Sequence, residues 1–187
     1  MRLAGCVEKM ESRTYVVRDL SYVVRVAQEA DTKELSVVRH RVDGETEYLD
    51  REQGEGHLSE WDFKELIKKD ADENNHLFLV AETEGTLIGF SRCAGSDLKR
   101  LSHHVEFGVG VLEEYWGYHV GKELLQQSIR WAERNGIVKI TLRVLETNEK
   151  AIEMYKRFGF EVEGVLKKDM RLSDGNYYST ILMARFT

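Results

Sequence analysis

The sequence predicts an α+β (mixed α/β) fold: a central mixed sheet of about six or seven strands with helices on both faces. Three observations carry this. Short stretches of strand-like apolar patterning recur along the chain, as in His76–Ala81, Thr86–Cys93, His104–Val111, Val138–Leu145 and Tyr177–Phe186. Between them lie stretches with apolar residues at the three-to-four spacing of one helix face, the clearest being Val120, Leu124, Leu125, Ile129 and Ala132. The order is strand, two helices, three strands, helix, strand, helix, two strands. That order lacks the regular alternation of a doubly wound dinucleotide-binding fold.

Residues 1–20 read as an N-terminal extension and 21–187 as one domain. Within the first stretch, Thr14–Val17 is open between a short strand and more of the extension. Ser21–Ala27 is rich in β-branched residues and reads as a strand. Asp31 begins a helix, with Glu34 three residues on as in a capping box; Leu35, Val38 and Val42 supply its apolar face. Asp43–His57 is acidic and glycine-containing and reads as a loop, or a loop with a short helical piece. Ser59 and Asp62 repeat the capping pattern for a second helix ending near Lys69, with Trp61, Leu66 and Ile67 on its apolar side. Glu84-Gly85 turns one strand into the next, and Gly95–Lys99 is a loop. Gly136 stops the helix that began at Val120. Thr147 or Asn148 caps a short helix carrying Ala151, Ile152, Tyr155 and Phe158, which Gly159 ends. Phe160–Lys167 and Tyr177–Phe186 are the last strands, joined at Ser173-Asp174-Gly175-Asn176.

Composition narrows the function. A net charge of −6 and a pI of about 5.6 disfavour nucleic acid as the main partner. No apolar run approaches membrane-spanning length. Cys6 and Cys93 have neither metal-ligand spacing nor a disulfide framework, so no metal site is expected and a reducing cytoplasm is the expected location. The N-terminus lacks the long apolar core of a signal peptide.

The chain is organised around His104–Arg134, which reads as strand, glycine-containing turn and helix. Such a turn exposes several backbone N–H groups at the positive end of a helix, a favourable place for an anion such as a pyrophosphate, although glycines there are often only punctuation. A second stretch sharpens this reading. Trp116-Gly117-Tyr118-His119-Val120-Gly121 occupies the register of Gln/Arg-x-x-Gly-x-Gly/Ala. Asn148 through Phe160 matches Asn-x-x-Ala-x-x-x-Tyr-x-x-x-Gly-Phe. On these two motifs, from about Ser21 onward, the sequence resembles the GNAT superfamily of acetyl-CoA-dependent N-acetyltransferases. Its ending is similar to the branch acting on amino acids, small amines or protein N-termini. Two residues depart from the pattern: Trp116 replaces a polar residue, and His119 replaces the first glycine of the turn.

The resemblance implies transfer of an acetyl group from acetyl-CoA to a primary amine by direct attack on the thioester. It implies a pyrophosphate held by the backbone from Trp116 and Gly117 through Tyr118, His119, Val120 and Gly121 to Lys122. Val109 and Val111 then pair with the pantetheine arm along two parallel strands that splay apart, and Asn148 contacts the cofactor besides capping its helix, with capping alone as its other reading. Lys122 stands equally for phosphate charge or for a solvated helix residue. Tyr155 is the candidate general acid, with core packing as its other reading. Glu106 is the candidate base, with an outward-facing strand glutamate as the alternative and His103 and His104 nearby. The acidic loop (Asp43, Glu45, Glu47, Asp50, Glu52, Glu55) falls where the family usually lines its acceptor site, and stands either for attraction of a cationic amine or a peptide N-terminus or for a solvated segment. Tyr177 and Tyr178 alternate, so at most one borders that pocket. A homodimer is left open. Trp116 and His119 keep a rival reading in view, an acyl-CoA-binding sensor without transfer; a third reading is a fold relative holding another phosphorylated ligand.

Overall fold

The computed structural model describes residues 10–187; the part of the expected extension over 1–9 lies outside the described residues. The elements run β1 (Arg13–Val17), β2 (Leu20–Val26), α1 (Thr32–Glu45), α2 (Glu60–Asp72), β3 (Leu77–Thr83), β4 (Thr86–Gly95), β5 (His104–Val111), α3 (Val120–Arg134), β6 (Lys139–Leu145), α4 (Glu149–Arg157), β7 (Glu161–Arg171) and β8 (Tyr177–Phe186). The strands form one sheet in the order β1-β2-β3-β4-β5-β6-β8-β7. Only β5 and β6 are parallel among the described strand pairs. The mixed sheet with helices on both faces is as expected, with eight strands against about six or seven. The additional strand is β1, which forms a hairpin with β2 through Arg18, whose φ of 55° makes the tight reversal.

Alternation sorts the core into two layers. On one face, Val105 and Phe107 of β5 and Ile140, Leu142 and Val144 of β6 pack with Leu124, Leu125 and Ile129 of α3 and Ile152 and Tyr155 of α4. On the other face, Phe78, Val80 and Phe90 pack with Leu35, Val38 and Val42 of α1 and Phe63 and Ile67 of α2. Each fully buried Leu, Ile or Phe contributes roughly 1.5–3 kcal/mol of apolar burial.

Local expectations fail where distant partners intervene. Ser59 and Asp62 do form the capping pair of α2, with Asp62 N–H donating to Ser59 Oγ at 3.2 Å and Ser59 N–H to Asp62 Oδ2 at 2.8 Å. The pair expected at Asp31 and Glu34 does not form. Asp31 instead accepts from Arg25 at 2.7 and 2.8 Å and from the Gln28 N–H at 2.7 Å. Glu34 accepts from the Leu87 N–H of β4 at 2.8 Å. Trp61 is 68% exposed rather than apolar-side, because the buried stripe of α2 runs through Phe63 and Ile67. The helix also continues to Asp72, beyond Lys69. Asp43–Glu45, expected in the loop, form the last turn of α1.

Candidate active site

The central feature is a gap in the sheet. β5 and β6 pair only as His104 with Lys139, Val105 with Ile140 and Glu106 with Thr141. Beyond that point β5 remains paired to β4 as far as Val111, and β6 remains paired to β8 as far as Leu145. The two parallel strands therefore diverge into a V that opens toward their C-terminal ends. The carbonyl of His103 accepts from the Val138 N–H at 2.8 Å, and that of Val105 accepts from the Thr141 hydroxyl at 3.2 Å, so both face β6. Alternate residues of a strand turn their backbone groups the same way, so Phe107, Val109 and Val111 direct theirs into the V.

The turn at the mouth of the V has left-handed backbone at two positions. Gly117 has φ of 82°, and His119, the N-cap of α3, sits at φ 63° and ψ 11°. Histidine is one of the few residues with a side chain that visits the left-handed region with some frequency. The N-cap of α3 thus holds a left-handed conformation at a residue other than glycine. The first backbone bond into α3 runs from Glu123 N to His119 O at 2.9 Å. The N–H groups of Val120, Gly121 and Lys122 then point out of the helix end. A Cβ at Gly121 would meet only Val111 Cγ2, at 3.7 Å, so the backbone there stands clear.

Trp116 solves its departure differently. Its indole Nε1 donates to Val111 O at 2.8 Å, pinning the turn to the end of β5. Below, the Tyr22 hydroxyl donates to Tyr118 O at 3.3 Å, while Arg18 lies 5.6 Å from the centre of the Tyr118 ring. Burial, with the Glu123 carboxylate adding to it, pushes the Tyr22 phenol up, so it stays a donor.

Beside the turn, on the α3/α4 face, runs a groove of about 540 Å³ lined by Lys122, Glu149, Lys150, Glu153, Met154, Arg157 and Phe158. Lys122 borders this groove while its Nζ also lies 3.2 Å from Glu123 Oε1. Lys150 and Arg157 were missed by the motif reading. The signal was there: with Glu153 and Met154 they mark one flank of α4 at three-to-four spacing. Asn148 caps α4, its Oδ1 accepting from the Ala151 N–H at 3.3 Å.

The two candidate catalytic residues take opposite faces of the V. Glu106 is exposed, on the side of β5 opposite Val105 and Phe107. It thus lies on the α1/α2 face, at the apex where pairing ends. Tyr155 is buried on the α3/α4 face, its ring 5.7 Å from that of Phe160. Burial pushes its phenol up to about 12, so it carries its proton throughout the physiological range. His103 and His104 sit edge to face, 5.7 Å apart, before the apex. Of the acidic stretch, Asp43 is buried against Arg39 at 2.9 Å and Glu45 accepts from the Glu113 N–H at 2.7 Å. Asp50 lies 3.6 Å from Arg39. Much of that charge is therefore engaged within the protein. Tyr177 and Tyr178 do alternate, and the Tyr178 hydroxyl donates to Asp174 at 2.7 Å. Among the described residues no cluster of side chains could hold a metal ion, and no helix is long and apolar enough to cross a membrane.

Comparisons agree with this geometry. Residues 42–160 match the acetyltransferase (GNAT) family. An uncharacterized N-acetyltransferase of Methanocaldococcus jannaschii is 33% identical over 118 residues, which is 60% of this chain and 49% of that one. The L-amino acid N-acetyltransferase of Escherichia coli is 32% identical over 108 residues, 57% of this chain and 66% of that one. The aligned part thus spans about half of the first relative and just under two thirds of the second. Among solved structures, a GNAT-family acetyltransferase from Streptococcus pneumoniae superposes with a TM-score of 0.85 at 25% identity, covering 89% of this chain and 99% of that one. A putative acetyltransferase from Salmonella typhimurium, solved with its cofactor acetyl-CoA, gives a TM-score of 0.77 at 17% identity, over 88% and 93% of the two chains.

Proposed function

Because the chain belongs to the acetyltransferase (GNAT) family, we propose that it transfers the acetyl group of acetyl-CoA to the nitrogen of a primary amine. The observation that carries this is the V between β5 and β6, with a turn of outward N–H groups at its mouth. Acetyl-CoA, when bound, supplies an activated thioester. The chain supplies what the donor needs to be held. The N–H groups of Val120, Gly121 and Lys122, at the positive end of α3, suit a pyrophosphate. Lys122, Lys150 and Arg157 line the adjoining groove and add positive charge for phosphate. Val109 offers strand-edge backbone groups to the amides of the pantetheine arm. Val111 does so through its N–H, its carbonyl already accepting from Trp116.

Glu106 and Tyr155 divide the proton work across the sheet. Glu106 takes the proton lost by the attacking amine, directly or through one water, on the α1/α2 face. Tyr155 gives its phenolic proton to the departing thiolate on the α3/α4 face. The new C–N bond replaces the C–S bond, and the products are an acetylamide and CoA. An amine entering from one face with the thiolate leaving on the other places acid and base where each is needed, without either blocking the other.

The acceptor is a primary amine. A relative named for L-amino acids supports an amino acid among the candidates. The engaged carboxylates of the acidic stretch give a cationic acceptor less support than its composition did. A reducing, cytoplasmic setting accords with Cys93 as a free, buried thiol. The second reading, a sensor that binds acyl-CoA without transfer, shares the premise that the cofactor is held. Titrating the purified protein with acetyl-CoA in a calorimeter tests the common premise. Binding in the micromolar range usual for metabolic cofactors is expected, and no heat at millimolar cofactor contradicts it.

A further inference from the structure

Part of the polar side of α3 turns inward, onto the hairpin of β1 and β2. Glu123 and Gln127, one turn apart, are both buried. Tyr15 of β1 and Tyr22 of β2 are a cross-strand pair whose stacked rings lie 5.5 Å apart. Gln127 Nε2 donates to the Tyr15 hydroxyl, and the Glu123 carboxylate is near enough to the Tyr22 phenol to help push it up. Tyr22 is 1% exposed, and Tyr118 O, 96 residues on, accepts from its hydroxyl at 3.3 Å. Arg18, at the tip of the hairpin, lies over the Tyr118 ring. A hairpin at one edge of the sheet therefore holds the turn that leads into α3.

What that bond fixes is a peptide plane. The Tyr118 carbonyl and the His119 N–H belong to one trans peptide and point in opposite directions. With the carbonyl directed into the core on Tyr22, the His119 N–H is directed out of it, and it has no backbone acceptor among the described residues. A half-turn of this plane would carry the φ of His119 from 63° into the negative range that side chains prefer. It would also turn a carbonyl oxygen, not an N–H, toward an incoming anion. The local preference of His119 thus works against an anion-binding turn, and Tyr22 works for it. We propose that Tyr22 is a positioning residue of the donor site: it holds the Tyr118–His119 peptide so that the His119 N–H joins those of Val120, Gly121 and Lys122 on the pyrophosphate of acetyl-CoA. This rests on the donor half of the N-acetyltransferase reading, and it stands whether or not transfer follows.

The test uses the full chain and acetyl-CoA itself. Tyr22→Phe keeps the ring stacked on Tyr15 and removes only the hydroxyl. Calorimetry is expected to show acetyl-CoA bound about fivefold more weakly, with Tm lowered by no more than about 4 °C. In 15N–1H spectra of the wild type, acetyl-CoA moves the His119 cross-peak downfield, as a charge-assisted hydrogen bond does. In Tyr22→Phe that movement is smaller, and the two free proteins differ chiefly around the Tyr118–His119 peptide. Equal affinity in the two proteins overturns the role of Tyr22 alone, as does a wild-type His119 cross-peak unmoved by saturating acetyl-CoA. Weaker binding with spectral changes spread along β1, β2 and α3 also overturns it, and makes Tyr22 a packing residue. Wild-type protein that binds no acetyl-CoA at millimolar concentration overturns the donor reading beneath it.

Discussion

Glu106 on β5 and Thr141 on β6 are the last residues at which these two parallel strands face each other. Everything proposed for the site follows from that ending. Past it, one edge of each strand has no strand partner, and an extended ligand can take the place of the missing neighbour. The carboxylate of Glu106 stands at the apex, where an acyl group at the tip of such a ligand would come to rest.

Replacing Tyr155 by Phe removes the proton donor while leaving a ring of the same shape against Phe160. We expect kcat to fall roughly 10- to 100-fold with the acetyl-CoA dissociation constant changed less than about threefold. Stopped-flow turnover beside calorimetric binding separates the two. Equal kcat in both proteins, with chemistry limiting, would return Tyr155 to a packing role.

Glu106→Gln keeps the size of the side chain and removes its basicity. A protonated amine needs help losing its proton at neutral pH and little help well above it. The variant's deficit is therefore expected to be greatest at about pH 6–7 and to shrink as the pH approaches the ammonium pKa, about 10 for a lysine-like amine. A pH–rate profile parallel to that of wild type would assign the proton to His103, His104 or solvent.

His119 occupies a left-handed conformation that costs a residue with a side chain about 1 kcal/mol relative to glycine. His119→Gly should leave acetyl-CoA affinity within a few-fold and raise or preserve Tm. His119→Val, β-branched and poorly suited to φ of 63°, should lower Tm and weaken cofactor binding about tenfold by tilting the N–H groups of the turn. Scanning calorimetry and cofactor titration on the same preparations check both.

Asp31 gives a stability prediction with a definite pH dependence. Burial alone would raise its carboxyl, but the hydrogen bonds from Arg25 and from the Gln28 N–H hold it below its ordinary value. A carboxyl lowered by folding stabilises the folded state fully above its unfolded pKa, about 3.9, and loses that contribution as pH falls through the folded value. Asp31→Asn removes one partner of a largely buried ion pair and should cost about 3 kcal/mol at pH 7. The gap from wild type should close as pH drops below about 4. Urea unfolding at several pH values measures it.

Much of the fold is legible in the chain because its signals are local. Val105 and Phe107 alternate with Glu106 and Gly108, and Asn148 caps the helix that carries Ile152 and Tyr155 on one stripe. The resemblance implies the turn at Gly117 and the splaying strands beside it, and the structure has both. What could not be read depends on partners far away in sequence. Asp31 leaves its helix end for Arg25, which in turn also holds Glu82. Glu34 goes to a strand N–H fifty-three residues on. Glu47 looked like one acidic loop residue among several, and its engagement with Ser173 has no sequence signature. Trp61 reads as part of the apolar side of α2 beside Leu66 and Ile67, whereas the position of Phe63 decides which face of α2 turns inward.

The central claim is transfer rather than binding, and one assay reads it most directly. Purified protein is incubated with acetyl-CoA and a broad panel of primary amines, following free CoA by a thiol reagent and products by mass spectrometry. The account predicts CoA release that depends on the amine, with an equimolar product heavier by one acetyl group. Tight acetyl-CoA binding with no CoA released by any amine would contradict it and leave a sensor in its place.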